Sequence, residues 1–231
     1  MEDKSKKMEE PIAKVEQALS RSEEFIIQNQ KIIGIVVGSI IALVLLFYGY
    51  KKFIQQPKEE LAQKQFFMAQ KYFDMDSLKL AMNGDGNYPG FIKIIDEYGS
   101  TKPGNLSHYY LGICYLKQGK FQDAIDQLEK FSGDDGYVSA MAKGGIGDAY
   151  LELNDLDKAV KYYEKAADVK KNDITSPLYL KRAGFVYEQM NKYDKAIEVY
   201  KKIQKNHFKS FEAREIDKYI ARATALMEEK K

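Results

Sequence analysis

Three segments decide the fold of this chain: LGICYLKQGKFQDAIDQLEKF at residues 111–131, IGDAYLELNDLDKAVKYYEKA at 146–166 and AGFVYEQMNKYDKAIEVYKKI at 183–203. Their starting points lie 35 and 37 residues apart, and three columns of the alignment hold one residue type each. Those columns are Gly112, Gly147 and Gly184; Tyr115, Tyr150 and Tyr187; and Ala124, Ala159 and Ala196. A nearly constant period of this length indicates a repeat protein built from one supersecondary unit.

Each column has a physical role in a helix–turn–helix unit. The glycine lets a neighbouring helix approach closely, and the tyrosine three residues later lies on the same helical face. The alanine keeps the second helix close to the first. Between tyrosine and alanine stand Gly119, Asn154 and Asn191, which tolerate the left-handed conformation that ends a helix. The pattern therefore predicts pairs of antiparallel helices.

This spacing resembles the tetratricopeptide repeat, a helix–turn–helix unit of about 34 residues. The resemblance implies an all-α helical solenoid with three repeats over residues 105–208. We expect a linker and a degenerate first repeat with an insertion over 51–104. We also expect a capping helix over 209–231, because Phe211, Ile216 and Tyr219 would cover the last repeat's exposed face.

An uncharged run precedes the repeats. Residues 32–50 read IIGIVVGSIIALVLLFYGY, with Lys31 before them and Lys51 after. As a helix, 19 residues reach roughly 28 Å, close to the ~30 Å hydrocarbon core of a bilayer. A soluble core helix would show polar breaks, and a signal peptide would have a shorter apolar run with a cleavage site. We therefore predict an uncleaved transmembrane anchor at the N-terminal side of the repeats.

Two features accompany the predicted anchor. Gly34, Gly38 and Ala42 share one face of the span, a spacing that permits close helix packing in a bilayer, although glycine is common in spans anyway.

The polar segment at residues 1–31 holds a short amphipathic pattern. It fits a helix lying on the membrane surface better than a partner-binding helix. The amphipathic face consists of Ile12, Val15, Leu19 and Ile26, with Phe25 beside it.

The charges around the span leave its orientation open. Before the span stand Lys14, Arg21 and Lys31, and after it stand Lys51, Lys52, Lys58 and Lys64. The positive-inside rule thus slightly favours the N-terminus outside, but long domains translocate largely regardless of loop charge.

The composition predicts no catalytic or metal chemistry. The chain has one cysteine, Cys114, and two histidines about 100 residues apart, so no disulfide, metal pair or catalytic triad is indicated. No glycine-rich phosphate loop is present, and a net charge of +2 argues against nucleic-acid binding. We therefore expect no enzyme activity, no cofactor and no small-molecule substrate.

In the tetratricopeptide geometry, the first helix of each unit lines a groove that binds peptides. The candidates for this groove are mostly apolar or aromatic, and ordinary packing between paired helices is the alternative for each. They are Leu106, Tyr109, Ile113, Leu116, Met141, Asp148, Leu151, Leu178, Lys181, Phe185 and Glu188. Tyr109 and Ile113 stand where binders of chaperone C-termini carry Lys and Asn, which argues against that partner class.

The whole chain resembles the YfgM-like family, and the segment NGDGNYPGFIKIIDEYGSTKPGNLSHYYLGICYLKQGKF at 83–121 looks like its Bacteroidetes-type members. These are membrane-anchored tetratricopeptide proteins found beside the Sec translocon and periplasmic chaperones. The resemblance implies an inner-membrane protein with periplasmic repeats and protein partners: translocon subunits, chaperones or nascent envelope polypeptides. A cytoplasm-facing assembly or signalling adaptor is the alternative, and a docking subunit for an envelope enzyme is a third hypothesis.

Overall fold

The computed structural model describes the backbone of residues 2–133 and 135–230, and the side chains of these residues apart from 2–24 and 26. Helices dominate this part of the chain, with no strand beyond one isolated bridge between Gly84 and Pro89. The helices are α1 (Glu2–Tyr50), α2 (Gln56–Asp74), α3 (Leu78–Asn83), α4 (Phe91–Tyr98), α5 (Lys102–Lys117), α6 (Phe121–Lys130), α7 (Gly136–Glu152), α8 (Leu156–Asp168), α9 (Thr175–Gln189), α10 (Tyr193–Asn206) and α11 (Ile216–Glu228). A π-helical turn spans Lys51–Gln55, and a 3₁₀ turn spans Glu212–Glu215.

The chain divides into two compact units, Met1–Pro57 and Lys58–Lys231. In the first unit, the apolar side chains of residues 32–50 are largely exposed; Leu46, for example, is 70% exposed. The helical stretch that begins at Ile27 is long and apolar enough to cross a membrane. The face predicted from Ile12, Val15, Leu19 and Ile26 lies outside the side chains that the structure describes.

The second unit is a series of helix pairs. The first pair is irregular: α2 is followed by the short α3, a turn, and α4. In that turn the Asp85 carboxylate accepts hydrogen bonds from the backbone N–H groups of Asn87 and Tyr88. The next pairs are α5 with α6, α7 with α8, and α9 with α10, and α11 packs on α10. This order matches the predicted helical solenoid.

The glycine column allows the two helices of each pair to meet. A Cβ added to Gly147 would lie 2.7 Å from the Tyr163 ring, and one added to Gly184 would lie 2.1 Å from the Tyr200 ring. In the first regular pair, a Cβ added to Gly112 would lie 2.6 Å from Leu128 Cγ. The three alanines of the repeat pattern, Ala124, Ala159 and Ala196, are fully buried. Small residues on one helix thus make room for a large residue on the other.

The tyrosine column lies partly at the surface. Tyr187 is 9% exposed, and its hydroxyl donates a 2.8 Å hydrogen bond to Glu164, whereas Tyr115 and Tyr150 are only half-buried. The turns between paired helices hold Gly119, Asn154 and Asn191 at φ of 73°, 60° and 57°. These left-handed conformations end the first helix and start the second.

The loops that connect one pair to the next lie along a single edge, which we call the loop edge. Contacts link its members in order: Glu59 accepts from the Lys102 N–H, Asn105 accepts from the Ser132 N–H, and the Asp173 carboxylate lies 2.8 Å from His207 Nδ1. The loop before α7 also lies beside the loop after α8, because a Cβ added to Gly136 would lie 3.0 Å from Lys170 Cβ. The turns within pairs therefore form the opposite edge of the domain.

Candidate protein-interaction surface

The first helices of successive repeats form one face of the domain. Helices α5, α7 and α9 contact one another in that order, and we call the surface they present the A-face. On α7, Tyr137 and Met141 are exposed by 49% and 43%, four residues apart on one helical face. Exposed apolar side chains at this spacing give the A-face a surface on which a partner can bury apolar area.

Tyr109 does not belong to this surface, and here the groove prediction is wrong. The residue is 8% exposed and packs with Ile125, Leu128 and Ile146 in the core between α5, α6 and α7. Its ring centroid lies 5.9 Å from that of Phe131. Burial raises the pKa of its hydroxyl to about 12. The i, i+4 spacing of the groove candidates could not separate the core side of α5 from its exposed side.

Ile113 and Leu116 lie between α5 and α7. Both are half-buried against the same core cluster. A Cβ placed on Gly145 would lie 3.4 Å from Leu116 Cδ1 and 3.5 Å from Ile113 Cδ1, so the two side chains reach across to α7. They fill the junction of two first helices, and only part of each remains available to a ligand. Leu106 lies at a similar junction, half-buried between two core clusters.

Three predicted groove residues come together in one cavity. Asp148 and Leu151 of α7 and Phe185 of α9 line a cavity of about 340 Å³ on the A-face. Sequence reasoning missed its remaining lining, which consists of Glu152, Tyr163, Arg182, Val186 and Gln189. The cavity therefore joins an apolar floor to acidic, basic and amide groups.

A polar cluster fixes one wall of this cavity. The Asp148 carboxylate accepts a 2.6 Å hydrogen bond from the Tyr163 hydroxyl and a charge-assisted bond from the Arg182 guanidinium. Burial, reinforced by the Asp148 charge, raises the pKa of Tyr163 well above its usual range. Burial alone would lower the pKa of Arg182, but Asp148 raises it overall. The cluster is thus a neutral hydroxyl and an ion pair that hold α7, α8 and α9 together.

A second cluster of the same composition lies between α9, α10 and α11. The Glu188 carboxylate accepts a 2.8 Å hydrogen bond from the Tyr200 hydroxyl. It also forms an ion pair with Arg222 at 2.8 Å. Hydrogen bonding to Glu188 raises the pKa of Arg222. Lys181 Nζ lies 4.9 Å from the centroid of the Tyr219 ring. Glu188 and Lys181 are therefore engaged within the domain rather than held out toward a ligand.

Phe185 and Leu178 are also tied to the interior. The Phe185 ring is half-buried, with its centroid 5.2 Å from that of Tyr219 and 6.3 Å from that of Tyr200. Leu178 is half-buried against the same core cluster. Each presents one side to the core and one side to the A-face.

A sequence signal for the second cluster was available. Tyr179, Arg182 and Ala183 recur 40 residues later as Tyr219, Arg222 and Ala223. Both alanines are fully buried. Helix α11 therefore repeats the core side of a first helix, which explains why the same acid–tyrosine–arginine cluster forms twice.

The predicted packing face of the span is open within this chain. A Cβ on Gly34 or Gly38 would meet nothing within 4 Å, and Ala42 is exposed. Among the described side chains, no group of three or more His, Cys, Asp or Glu is placed to hold a metal ion.

Comparison with known proteins identifies the repeats. Two family models of the tetratricopeptide repeat match residues 106–177 and 180–210. The fold is similar to a protein assigned as a kinesin light chain with nearly identical TPR-like repeats in Podosopora anserina, at a TM-score of 0.56 and 14% identity over 73% of this chain and 87% of that one. It is also similar to the MamA protein, at a TM-score of 0.50 and 22% identity over 74% of this chain and 94% of that one. No curated protein sequence matches the chain. These findings confirm the all-α tetratricopeptide solenoid, a fold that typically serves as a non-catalytic scaffold for protein–protein interaction.

Proposed function

We propose that this tetratricopeptide-repeat protein is a single-pass, membrane-anchored scaffold, an ancillary component of a translocon and periplasmic chaperone network that acts on emerging envelope proteins. Its anchor is the helix over residues 32–50, and its working surface is the A-face. The partners are translocon subunits, chaperones or nascent envelope polypeptides.

One observation carries the proposal: an uncharged helix with exposed side chains is joined directly to a repeat domain. Leu43, Leu45 and Leu46 are 66–70% exposed in the chain. In water this surface would be unfavourable at about 25 cal/mol per Å² of apolar area, whereas a bilayer covers it at no cost to the fold. The anchor therefore keeps the interaction domain at a membrane surface.

The resemblance to the YfgM-like family supports a periplasmic position for the repeats. The alternative is a cytoplasm-facing adaptor, which Lys51, Lys52, Lys58 and Lys64 favour through the positive-inside rule. Alkaline phosphatase fused to the C-terminus should be active if the repeats are periplasmic. An inactive phosphatase fusion, together with a fluorescent cytoplasmic reporter at the same site, would establish the adaptor instead.

The partner class can be identified from intact membranes. A photo-crosslinking amino acid at Met141, which is exposed on the A-face, should capture translocon subunits, chaperones or nascent envelope polypeptides. The matched control carries the same crosslinker at Leu153, which is 45% exposed at the opposite edge. If both positions capture the same proteins, or if Met141 captures only an envelope enzyme, the proposed role is wrong.

A further inference from the structure

The last two loops of the loop edge have an inverted distribution of polarity. After α10, His207 and Ser210 point inward with 9% and 3% exposure, whereas Phe208 and Phe211 are 69% and 73% exposed. The expectation that Phe211 covers the last repeat is therefore wrong. In the loop after α8, Ile174 is 62% exposed. Aliphatic and aromatic side chains normally occupy the buried positions of a loop, and polar ones the exposed positions.

Hydrogen bonds fix this inverted arrangement. The His207 ring lies 2.8 Å from the Asp173 carboxylate, which joins the two loops. Ser210 Oγ accepts from the Ala213 N–H at 3.2 Å, and the Asn172 side chain accepts from the Ile174 N–H at 2.8 Å. The inward polar groups are satisfied, so the outward position of the apolar groups follows from a defined loop structure.

Basic residues outnumber acids around the exposed aromatic side chains. Residues 201–218 contain six Lys or Arg and three acids, Glu212, Glu215 and Asp217, of which Glu215 pairs with Lys218. Beside Ile174, the Asp173 carboxylate is engaged by His207. Lys209 Nζ lies 5.5 Å from the centroid of the Phe208 ring, and Arg214 Cζ lies 5.7 Å from that of Phe211. We call Ile174, Phe208 and Phe211 with these flanking bases the basic–apolar patch. Apolar side chains among lysines and arginines are the composition that binds the interface of anionic bilayers.

The patch lies on the edge at which the chain enters the domain. Glu59 bonds the Lys102 N–H, and Lys58 Nζ lies 3.4 Å from Ser100 Oγ, so residues 58 and 59 are part of the loop edge. Only seven residues separate Lys58 from Tyr50, the last residue of the predicted span. The chain that leads from the predicted span therefore joins the domain at the loop edge and not at the opposite edge.

From the patch and its position we propose that the loop edge of the repeat domain docks on the headgroup layer of an anionic bilayer, with Ile174, Phe208 and Phe211 inserted at the interface. This inference rests on the proposed membrane anchor. Docking sets the solenoid edge-on to the membrane and leaves the A-face open to partners.

Single tryptophans provide the test, because the chain contains none. Full-length protein is reconstituted into vesicles of phosphatidylcholine with phosphatidylglycerol. Two brominated phosphatidylcholines are used, one with bromines near the headgroup, which quenches tryptophan at the interface, and one with bromines deep in the acyl chain, which quenches tryptophan at the bilayer centre. The variants are F208W for the patch, L153W for the opposite edge and I41W for the span. We expect strong quenching for F208W and I41W, and little for L153W.

The three variants separate the two proposals. If I41W is not quenched, the anchor fails, and with it the proposed function. If I41W is quenched while F208W is quenched no more than L153W, the anchor stands and membrane docking is wrong. If F208W is shielded from aqueous acrylamide without lipid quenching, a protein surface covers the patch, and this outcome also overturns the inference.

Charge provides a second readout. A lysine near an anionic surface adds about 1 kcal/mol, or roughly fivefold, to binding. Combining F208W with K205E and K209E should reduce its quenching to the value found in pure phosphatidylcholine. The matched control, K79E with K120E near the opposite edge, should leave the F208W signal unchanged. Equal effects of both double variants would contradict docking by this patch.

Discussion

The hydroxyl of Tyr163 donates a 2.6 Å hydrogen bond to the carboxylate of Asp148. Tyr163 stands on α8 with 1% exposure, directly over Gly147, and Asp148 also pairs with Arg182 of the next unit. One carboxylate therefore connects the second helix of its own unit to the first helix of the next. Glu188 makes the same connection through Tyr200 and Arg222 at the end of the solenoid.

Replacing Asp148 by alanine should destabilise the domain by about 1–3 kcal/mol, because it leaves a buried hydroxyl without an acceptor and Arg182 without its counter-charge. For a domain of this size the melting temperature should fall by about 2–4 °C per kcal/mol. The control is Asp157→Ala, which removes an exposed carboxylate that is paired with Lys192 at 3.3 Å. Thermal unfolding should show a change of no more than about 0.5 kcal/mol for the control.

Gly147→Ala and Gly145→Ala separate packing from helix propensity. Both lie in α7, so both gain about 1 kcal/mol of propensity. The new Cβ at 147 would lie 2.7 Å from a fully buried tyrosine ring, whereas at 145 it would lie 3.0 Å from the terminal methyl group Cδ1 of Leu128. Denaturant unfolding should show Gly147→Ala destabilising by about 1–3 kcal/mol and Gly145→Ala near neutral or stabilising. Equal effects would show that the glycine column has no packing role.

The repeats could be predicted from the sequence because paired helices can pack only if the same residue types recur at fixed spacing, as Gly147, Tyr150 and Ala159 do. The binding surface was harder to predict, since a first helix packs on several sides. Tyr109 and Phe185 both fit the groove pattern, yet the first is core and the second is shared between core and surface. The polarity of the loop after α10 was not predictable, because it depends on the long-range contact between His207 and Asp173.

Phe185→Ala should reduce stability as well as partner capture. Its ring contacts those of Tyr200 and Tyr219, so truncation leaves a partial void at the junction of α9, α10 and α11. A fully buried Phe→Ala change costs about 3–5 kcal/mol, and a half-buried one should cost less. Met141→Ala, at 43% exposure, should leave the melting temperature unchanged while reducing the recovery of crosslinked partners. Loss of stability in Met141→Ala would place that residue in the core.

Stability should fall at alkaline pH. Burial raises the pKa of the Cys114 thiol from 9.0 to about 12, and the pKa of the Tyr179 hydroxyl from 10.0 to about 12. The folded state therefore retains protons that the unfolded chain has lost, so the contribution of these two groups to the free energy of unfolding is fully present below pH ~9 and is lost as pH rises toward ~12. Melting curves at pH 8, 9.5 and 10.5 should show this decrease. Cys114→Ala should remove the part that begins near pH 9.

Iodoacetamide gives an independent measure of the same burial. At pH 8 the fully buried Cys114 should react far more slowly in native protein than in urea, because only the thiolate is nucleophilic. Rapid labelling of native protein would contradict the burial and the raised pKa together.

A fragment that starts at Lys58 should fold without the anchor. Residues 58–231 contain the three core clusters, from Phe66 and Phe91 at one end to Tyr200 and Ile216 at the other. The cut removes Gln56 and Pro57 from α2. It keeps the contacts of Lys58 with Ser100 and of Glu59 with the Lys102 N–H, at the start of the next helix pair. We expect a soluble protein with a strongly helical circular dichroism spectrum and a cooperative melt, since each helix pair covers its neighbour and α11 covers the last. The full chain, by contrast, should require detergent. A fragment that aggregates or lacks a cooperative transition would show that the first helix pair depends on residues before Lys58.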